Sequence, residues 1–117
     1  MTAYVIAVLH TTPTTHPDVF TYIERVQATF TPYGGRFLVH GTEGEWVEGP
    51  RLGGVVVLEF PDLKAAHTWY ESPAYQEILP LRTDHLPGSL VFLEGAPDGY
   101  EAARTAAAMR EAASGQA

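Results

Sequence analysis

Apolar positions along the chain alternate between two rhythms, and each rhythm predicts an element. Tyr4 to His10 is a β-branched and aliphatic run that stops at a Thr/Pro-rich turn, which reads as a first strand. Pro17 suits the first helical position, with Thr15 or His16 as cap and Asp18 favouring the positive helix end. Val19, Ile23, Val26 and Phe30 then fall on one helix face. Pro32 and the Gly34-Gly35 pair end that helix. Arg36 to His40 is a second strand, and "EWVEG" is either its continuation past a bulge or a separate short strand. Val55 to Phe60 is the clearest strand. Pro61-Asp62 opens a second helix, with Leu63, Ala66 and Tyr70 or Ala65 and Trp69 on its inner side. Ser72-Pro73 opens a short third helix, expected to run to Leu79 and to be limited by Pro80. Leu90 to Glu94 is a final strand. Beyond Gly95 the composition turns to Ala, Glu and Arg, which predicts an extra helix over Tyr100 to Ala113 and a frayed "SGQA" end.

The order β-α-β-β-α-β is that of a ferredoxin-like α+β sandwich with an antiparallel four-stranded sheet. Residues 1–96 form that domain and 97–117 a helical extension. Helices cover only one face of such a sheet, so strand parity carries information. One set comprises Val5, Ala7, Leu9, Phe37, Val39, Val56, Leu58, Phe60, Val91 and Leu93, all apolar and suited to the helix side. The other comprises Tyr4, Ile6, Val8, His10, Arg36, Leu38, His40, Val55, Val57, Glu59, Leu90, Phe92 and Glu94. A solvated face should be polar throughout, and this mixed one is not. An apolar patch of that size exceeds what a soluble monomer usually exposes, so a second copy is expected to cover it about a two-fold axis. Arg36 and His40 would then look into or flank a cavity between subunits.

The stretches "YGGRFLVHG", "VVVLEFPDLKAAHTWYESPAYQEILPLR" and "VFLEG" together resemble the bacterial domain-of-unknown-function family DUF1330, a member of the dimeric α+β barrel superfamily. The resemblance runs from about Tyr4 to Gly95 and is most specific at Tyr33-Gly34-Gly35-Arg36, Glu59-Phe60-Pro61 and Trp69-Tyr70-Ser72-Pro73-Tyr75. It implies a ferredoxin-like homodimer and brings no agreed catalytic residue. Superfamily members include cofactor-free monooxygenases, haem-degrading enzymes, small-lactone isomerases and dye-decolourising peroxidases.

Composition narrows the function classes. Fourteen acids against seven Lys and Arg leave a formal charge of −7, which repels a phosphate backbone and argues against nucleic-acid binding. The absence of cysteine removes disulfides, thiolate nucleophiles and Cys-based metal sites, and fits a cytoplasmic protein. No apolar run approaches the ~20 residues that cross a bilayer, and no basic leader precedes the first strand. The five histidines show no metal-ligand spacing, so neither metal nor cofactor is expected.

The chemistry-bearing residues are few. Glu59, an acid at a strand end facing an apolar interior, is a candidate catalytic base or proton donor, or else the partner of Arg36 or Arg51 in a dimer-fixing ion pair. His40 is the second catalytic candidate, because imidazole suits proton transfer near neutrality. His10, Arg36, Trp46 and Arg82 are candidate ligand-binding residues: a second imidazole, a clamp for a carboxylate or enolate, a stacking surface, and a cation that closes the third helix or points into the cavity. The expected function is binding of a small, mostly apolar molecule, aromatic or carboxylate-bearing as alternatives, with cofactor-free oxygenase or isomerase-like proton-transfer activity. The alternative is a non-enzymatic dimeric ligand-binding or sensor module whose polar strand residues are structural.

Overall fold

The computed structural model describes residues 1–115. The end of the expected frayed tail, Gln116 and Ala117, lies outside the described residues. Nine elements follow one another: β1 (Ala3–Leu9), α1 (Pro17–Phe30), a 3₁₀ turn (Thr31–Tyr33), β2 (Arg36–Val39), β3 (Gly54–Phe60), α2 (Leu63–Glu71), α3 (Pro73–Thr83), β4 (Gly88–Glu94) and α4 (Ala102–Ser114). The strands form one antiparallel sheet in the order β2-β3-β1-β4, the ferredoxin-like arrangement.

Helix starts are set by side chains that accept the orphan N–H groups of the first turn. His16 Nδ1 accepts from Asp18 N at 3.1 Å, Asp62 Oδ1 from Ala65 N at 2.7 Å, and Ser72 Oγ from Tyr75 N at 3.3 Å. At the end of α1, Gly34 takes φ of +77°, the left-handed conformation that lets the chain turn into β2. Two expectations are corrected. Pro80 does not limit α3, which continues to Thr83, because Asp84 N donates to Pro80 O and so closes the last turn beyond the proline. "EWVEG" forms no strand; residues 40–53 are loop.

Register also corrects the division of the sheet into faces. Residues directly opposite each other share a face, and β4 pairs Leu90 with Ala7 and Phe92 with Val5. Leu90, Phe92 and Glu94 therefore lie on the helix side, and Val91 and Leu93, each 46% exposed, lie on the open side. In β2, Phe37 opposes Leu58 but Val39 opposes Val57, so a bulge sets two residues against one. That extra residue moves Val39 to the open face and His40 to the helix side. The open face now reads Tyr4, Ile6, Val8, Val39, Val55, Val57, Val91 and Leu93, with Ser89, Arg36 and Glu59.

On the helix side the core is aromatic. Phe30, Phe60, Trp69 and Tyr75 are fully buried, with Trp69 stacked on Phe60 (5.3 Å between centroids), tilted on Tyr75 (4.3 Å) and edge-on to Phe30 (6.2 Å). The indole N–H donates to Thr29 Oγ1 at 3.0 Å, and that hydroxyl donates to Val26 O at 2.6 Å. Gly35 enters β2 beneath this cluster, where a Cβ would lie 2.7 Å from the Phe60 ring.

The tightest backbone approach is at Gly53, with φ of +145° and space for a Cβ only 2.1 Å from the Leu9 carbonyl oxygen. Gly53→Ala is expected to cost about 2–4 kcal/mol, combining strain with a backbone clash. Urea unfolding measures it; a loss below about 0.5 kcal/mol would show that the entry to β3 adjusts freely. Trp69→Phe removes the N–H that donates to Thr29 Oγ1 together with part of the ring packing, and should cost about 1–2 kcal/mol in the same assay.

Candidate functional site

Helix α1 runs close to α3 but its backbone stays farther from the strands. The aromatic cluster fills the wedge between helix and sheet near the C-terminal end of α1. Toward its N-terminal half the facing side chains are aliphatic, Ala7 and Val56 below and Val19 and Ile23 above, and they leave a cavity of about 90 Å³. Val5, Leu9, Phe37, Leu58, Leu86 and Leu90 complete its apolar wall. A more open vestibule of about 220 Å³ shares His40, Val19, Ile23, Val56 and Leu86 with it and adds Phe20, Thr15 and Thr42. Phe20 and Ile23 are large apolar side chains left exposed at this entrance.

Polar groups occur at two places in the wall. One is Arg82, on the last turn of α3, only 7% exposed, with its guanidinium carbon 5.5 Å from the centre of the Tyr22 ring. Burial opposes its charge, and the neighbouring phenols of Tyr75 and Tyr22 more than offset this, holding the guanidinium above its ordinary value. The Tyr22 and Tyr75 hydroxyls share a hydrogen bond of 2.8 Å. Burial first, then the charge and hydrogen bond of Tyr75, push the Tyr22 phenol far above its ordinary value, with Arg82 opposing. Tyr22 therefore stays protonated.

The other polar group is His40, at the vestibule. The bulge turns it inward, and its ring stacks on Phe37 with centroids 4.4 Å apart at 23°. The residue is exposed.

The remaining candidates lie elsewhere. Glu59 and Arg36 are directly opposite on the open face and form an ion pair of 2.8 Å. The Glu59 carboxylate, by hydrogen bond and charge, raises the Arg36 guanidinium above its usual value. Glu59 and His40 thus occupy opposite faces of the sheet and cannot serve one cavity within a subunit. His10 lies with Thr11, Thr12, Pro13 and Arg51 along a shallow outer surface. Trp46 is half-buried in the 40–53 loop beside Gly44, away from the cavity lining. Tyr22 was not singled out from the sequence, although it sits three residues after Val19 and four before Val26, on the same helix face.

One cluster could be mistaken for a metal centre. Donor atoms of His16, Asp18 and His85 lie within 4.8 Å of one another. The two imidazoles stack face to face, 3.6 Å apart at 4°, so their in-plane lone pairs run parallel and do not converge on one point. His16 Nδ1 is already engaged with Asp18 N, and His85 Nε2 contacts Asp18 Oδ2 at 3.0 Å. As arranged, the trio ties the start of α1 to the turn after α3.

Among the described residues no helix is long and apolar enough to cross a membrane. No curated protein matches the chain. Solved structures do. A protein of unknown function from Rhodopseudomonas palustris is 17% identical, with a TM-score of 0.66 over 82% of this chain and 83% of that one. A dimeric ferredoxin-like protein of unknown function from Jannaschia sp. is 14% identical, with a TM-score of 0.57 over 81% of this chain and 100% of its own. SnoaB, a cofactor-independent oxygenase from Streptomyces nogalater, is 15% identical, with a TM-score of 0.53 over 86% of this chain and 96% of its own. Identities this low show a shared fold. The family model described as "domain of unknown function (DUF1330)" matches residues 2–96, most of the chain, and the protein belongs to that family.

Proposed function

We propose that the protein is a homodimer joined through its open sheet faces, and that each subunit binds a small, largely apolar molecule between sheet and α1. The observation that carries the second half is the cavity itself: an apolar wall with one buried cation and one imidazole at separate points. That is the usual composition of a small-molecule site, where apolar walls supply affinity and a few polar groups supply orientation. At about 90 Å³ the closed part is well below the roughly 300–1,000 Å³ of drug-sized sites, so the occupant is small or extends into the vestibule.

The dimer reading rests on the corrected open face, whose edge strands expose Val39, Val91 and Leu93 and whose acid and base are already paired with each other. An apolar sheet face of this extent is covered in a soluble protein, and two-fold self-pairing is the simplest cover. The dimeric Jannaschia relative has the same fold. Cofactor-free oxygenase or isomerase-like chemistry is the activity we favour, with His40 as the proton acceptor at the mouth; SnoaB has this fold and is a cofactor-independent oxygenase. The Arg36–Glu59 pair supports a second reading, a non-enzymatic binding module, in which open-face charges serve only the interface.

Sedimentation tests the assembly. Wild type should sediment as a dimer in dilute solution, and Leu93→Asp, which changes a side chain already half-exposed in the single subunit, should give a folded monomer. A monomeric wild type would end the dimer reading. Binding is tested with the neutral fluorescent probe N-phenyl-1-naphthylamine: wild type should bind it, and Ala7→Leu, which fills the cavity floor, should weaken binding about tenfold or more. Once a substrate is identified, His40→Ala should lower turnover by roughly 10²–10⁴ while leaving probe binding intact. Unchanged turnover would remove the proton-transfer role.

A further inference from the structure

Resting on the cavity as a ligand site, we propose that its occupant is a small apolar carboxylic acid, whose carboxylate is held by Arg82 with Tyr22 donating a second hydrogen bond. The argument begins with how this chain treats its arginines. Arg25, Arg36 and Arg104 each have a carboxylate oxygen within 4 Å, at 3.8, 2.8 and 3.6 Å, and each is largely exposed, where a partner matters least. Arg82 is the buried one, and among the described residues no Asp or Glu comes within that distance of it. A guanidinium taken out of water normally carries a counter-charge, because losing hydration without one is costly.

What Arg82 has instead is compensation without a counter-ion, led by the phenols of Tyr75 and Tyr22. It sits in the last turn of α3, where the negative end of the helix dipole supplies a partial charge, and it lies over the face of Tyr22. Both are attractive, and neither is an anion. The guanidinium has five N–H donors in a planar fork that matches a carboxylate. The cavity it lines is otherwise apolar apart from Tyr22 and, at the mouth, His40. A ligand carboxylate there would complete the missing pair, while its apolar body follows the wall toward the vestibule.

The neighbouring phenols fit this role. Tyr22 and Tyr75 are hydrogen-bonded to each other, so one hydroxyl of the two has a proton to spare for a third group. With Tyr75 as the donor of that bond, the proton left for the ligand is that of Tyr22, which lines the cavity and which burial keeps protonated. A single cation in so small and apolar a space matches a monoanion. A phosphate dianion would bring a second charge with nothing to meet it.

Trp69 lines the cavity and reports on it by fluorescence once Trp46→Phe removes the other indole. In that background, benzoate and hexanoate are titrated at pH 7.5 alongside their neutral amides, with N-phenyl-1-naphthylamine as a charge-independent probe. Each acid is expected to bind roughly 10- to 100-fold more tightly than its amide, the usual effect of hydrogen bonds to a charged group. Arg82→Met should abolish that preference and leave the neutral probe bound; Tyr22→Phe should reduce it several-fold. If Arg82→Met does not fold, Arg82→Lys retains the charge without the fork and should lose preference several-fold. A neutral probe that binds wild type beside acids that bind no better than amides overturns the anion assignment and leaves the cavity reading standing. A preference that survives in the folded Arg82→Met protein overturns it as well. Failure of the neutral probe and of both acids to bind wild type overturns the cavity reading itself, and this inference with it.

Discussion

Trp69 determines how far α1 stands from the sheet, and the site exists because of that distance. Its indole lies between Phe60 of β3, Phe30 of α1 and Tyr75 of α3, and its N–H is bonded to Thr29 on α1. Large rigid rings at one end of a helix act as a spacer. The residues beyond the spacer, Ala7 and Val56 on the sheet and Val19 and Ile23 on the helix, are too short to close the gap. Interiors are normally packed without such voids. A void retained next to a buried cation is therefore the feature most in need of a functional explanation.

The two sheet faces divide the chemistry between them. The open face holds an acid and a base that satisfy each other in a field of aliphatic side chains, an arrangement suited to an interface whose register is defined by charge. The helix-side face holds its cation and imidazole apart, with apolar wall between them. A group that must bind and release a ligand cannot be neutralised permanently by its own protein. Arg36 has a carboxylate, whereas among the described residues none lies within 4 Å of Arg82.

One inserted residue connects the faces. The bulge opposite Val57 sends Val39 outward, where it adds to the apolar open face, and turns His40 inward onto Phe37 at the cavity's mouth. In a regular ladder the imidazole would lie opposite Val55, on the open face that carries Glu59 and Arg36. The hydrogen-bonded stack of His16, Asp18 and His85 sits next to the same entrance, since Val19 and Leu86 follow Asp18 and His85 closely in sequence and line both cavity and vestibule. Strand irregularity and a helix cap, rather than the regular elements, thus shape access to the site.

The element order, the α1, α2 and α3 starts and the ferredoxin-like class were legible in the sequence, because they depend on local signals: caps at His16, Asp62 and Ser72, a glycine pair after α1, and apolar spacing at Val19, Ile23, Val26 and Phe30. The resemblance carried by "YGGRFLVHG" and its companions was legible for the same reason. Side-chain direction was legible only where a strand alternates. β1 and β3 could be divided correctly, whereas "GSLVFLE" is apolar at consecutive positions, and only its pairing with β1 shows that Leu90 and Phe92 face the helices. The bulge in β2 follows from the opposing strand and left no mark within β2 itself. Arg82 and Tyr22 lie sixty residues apart in the sequence, and the charge that Arg82 lacks is a property of everything packed around it. Local sequence therefore determined which elements form, while register and packing, which involve residues distant along the chain, decided which side chains share a cavity.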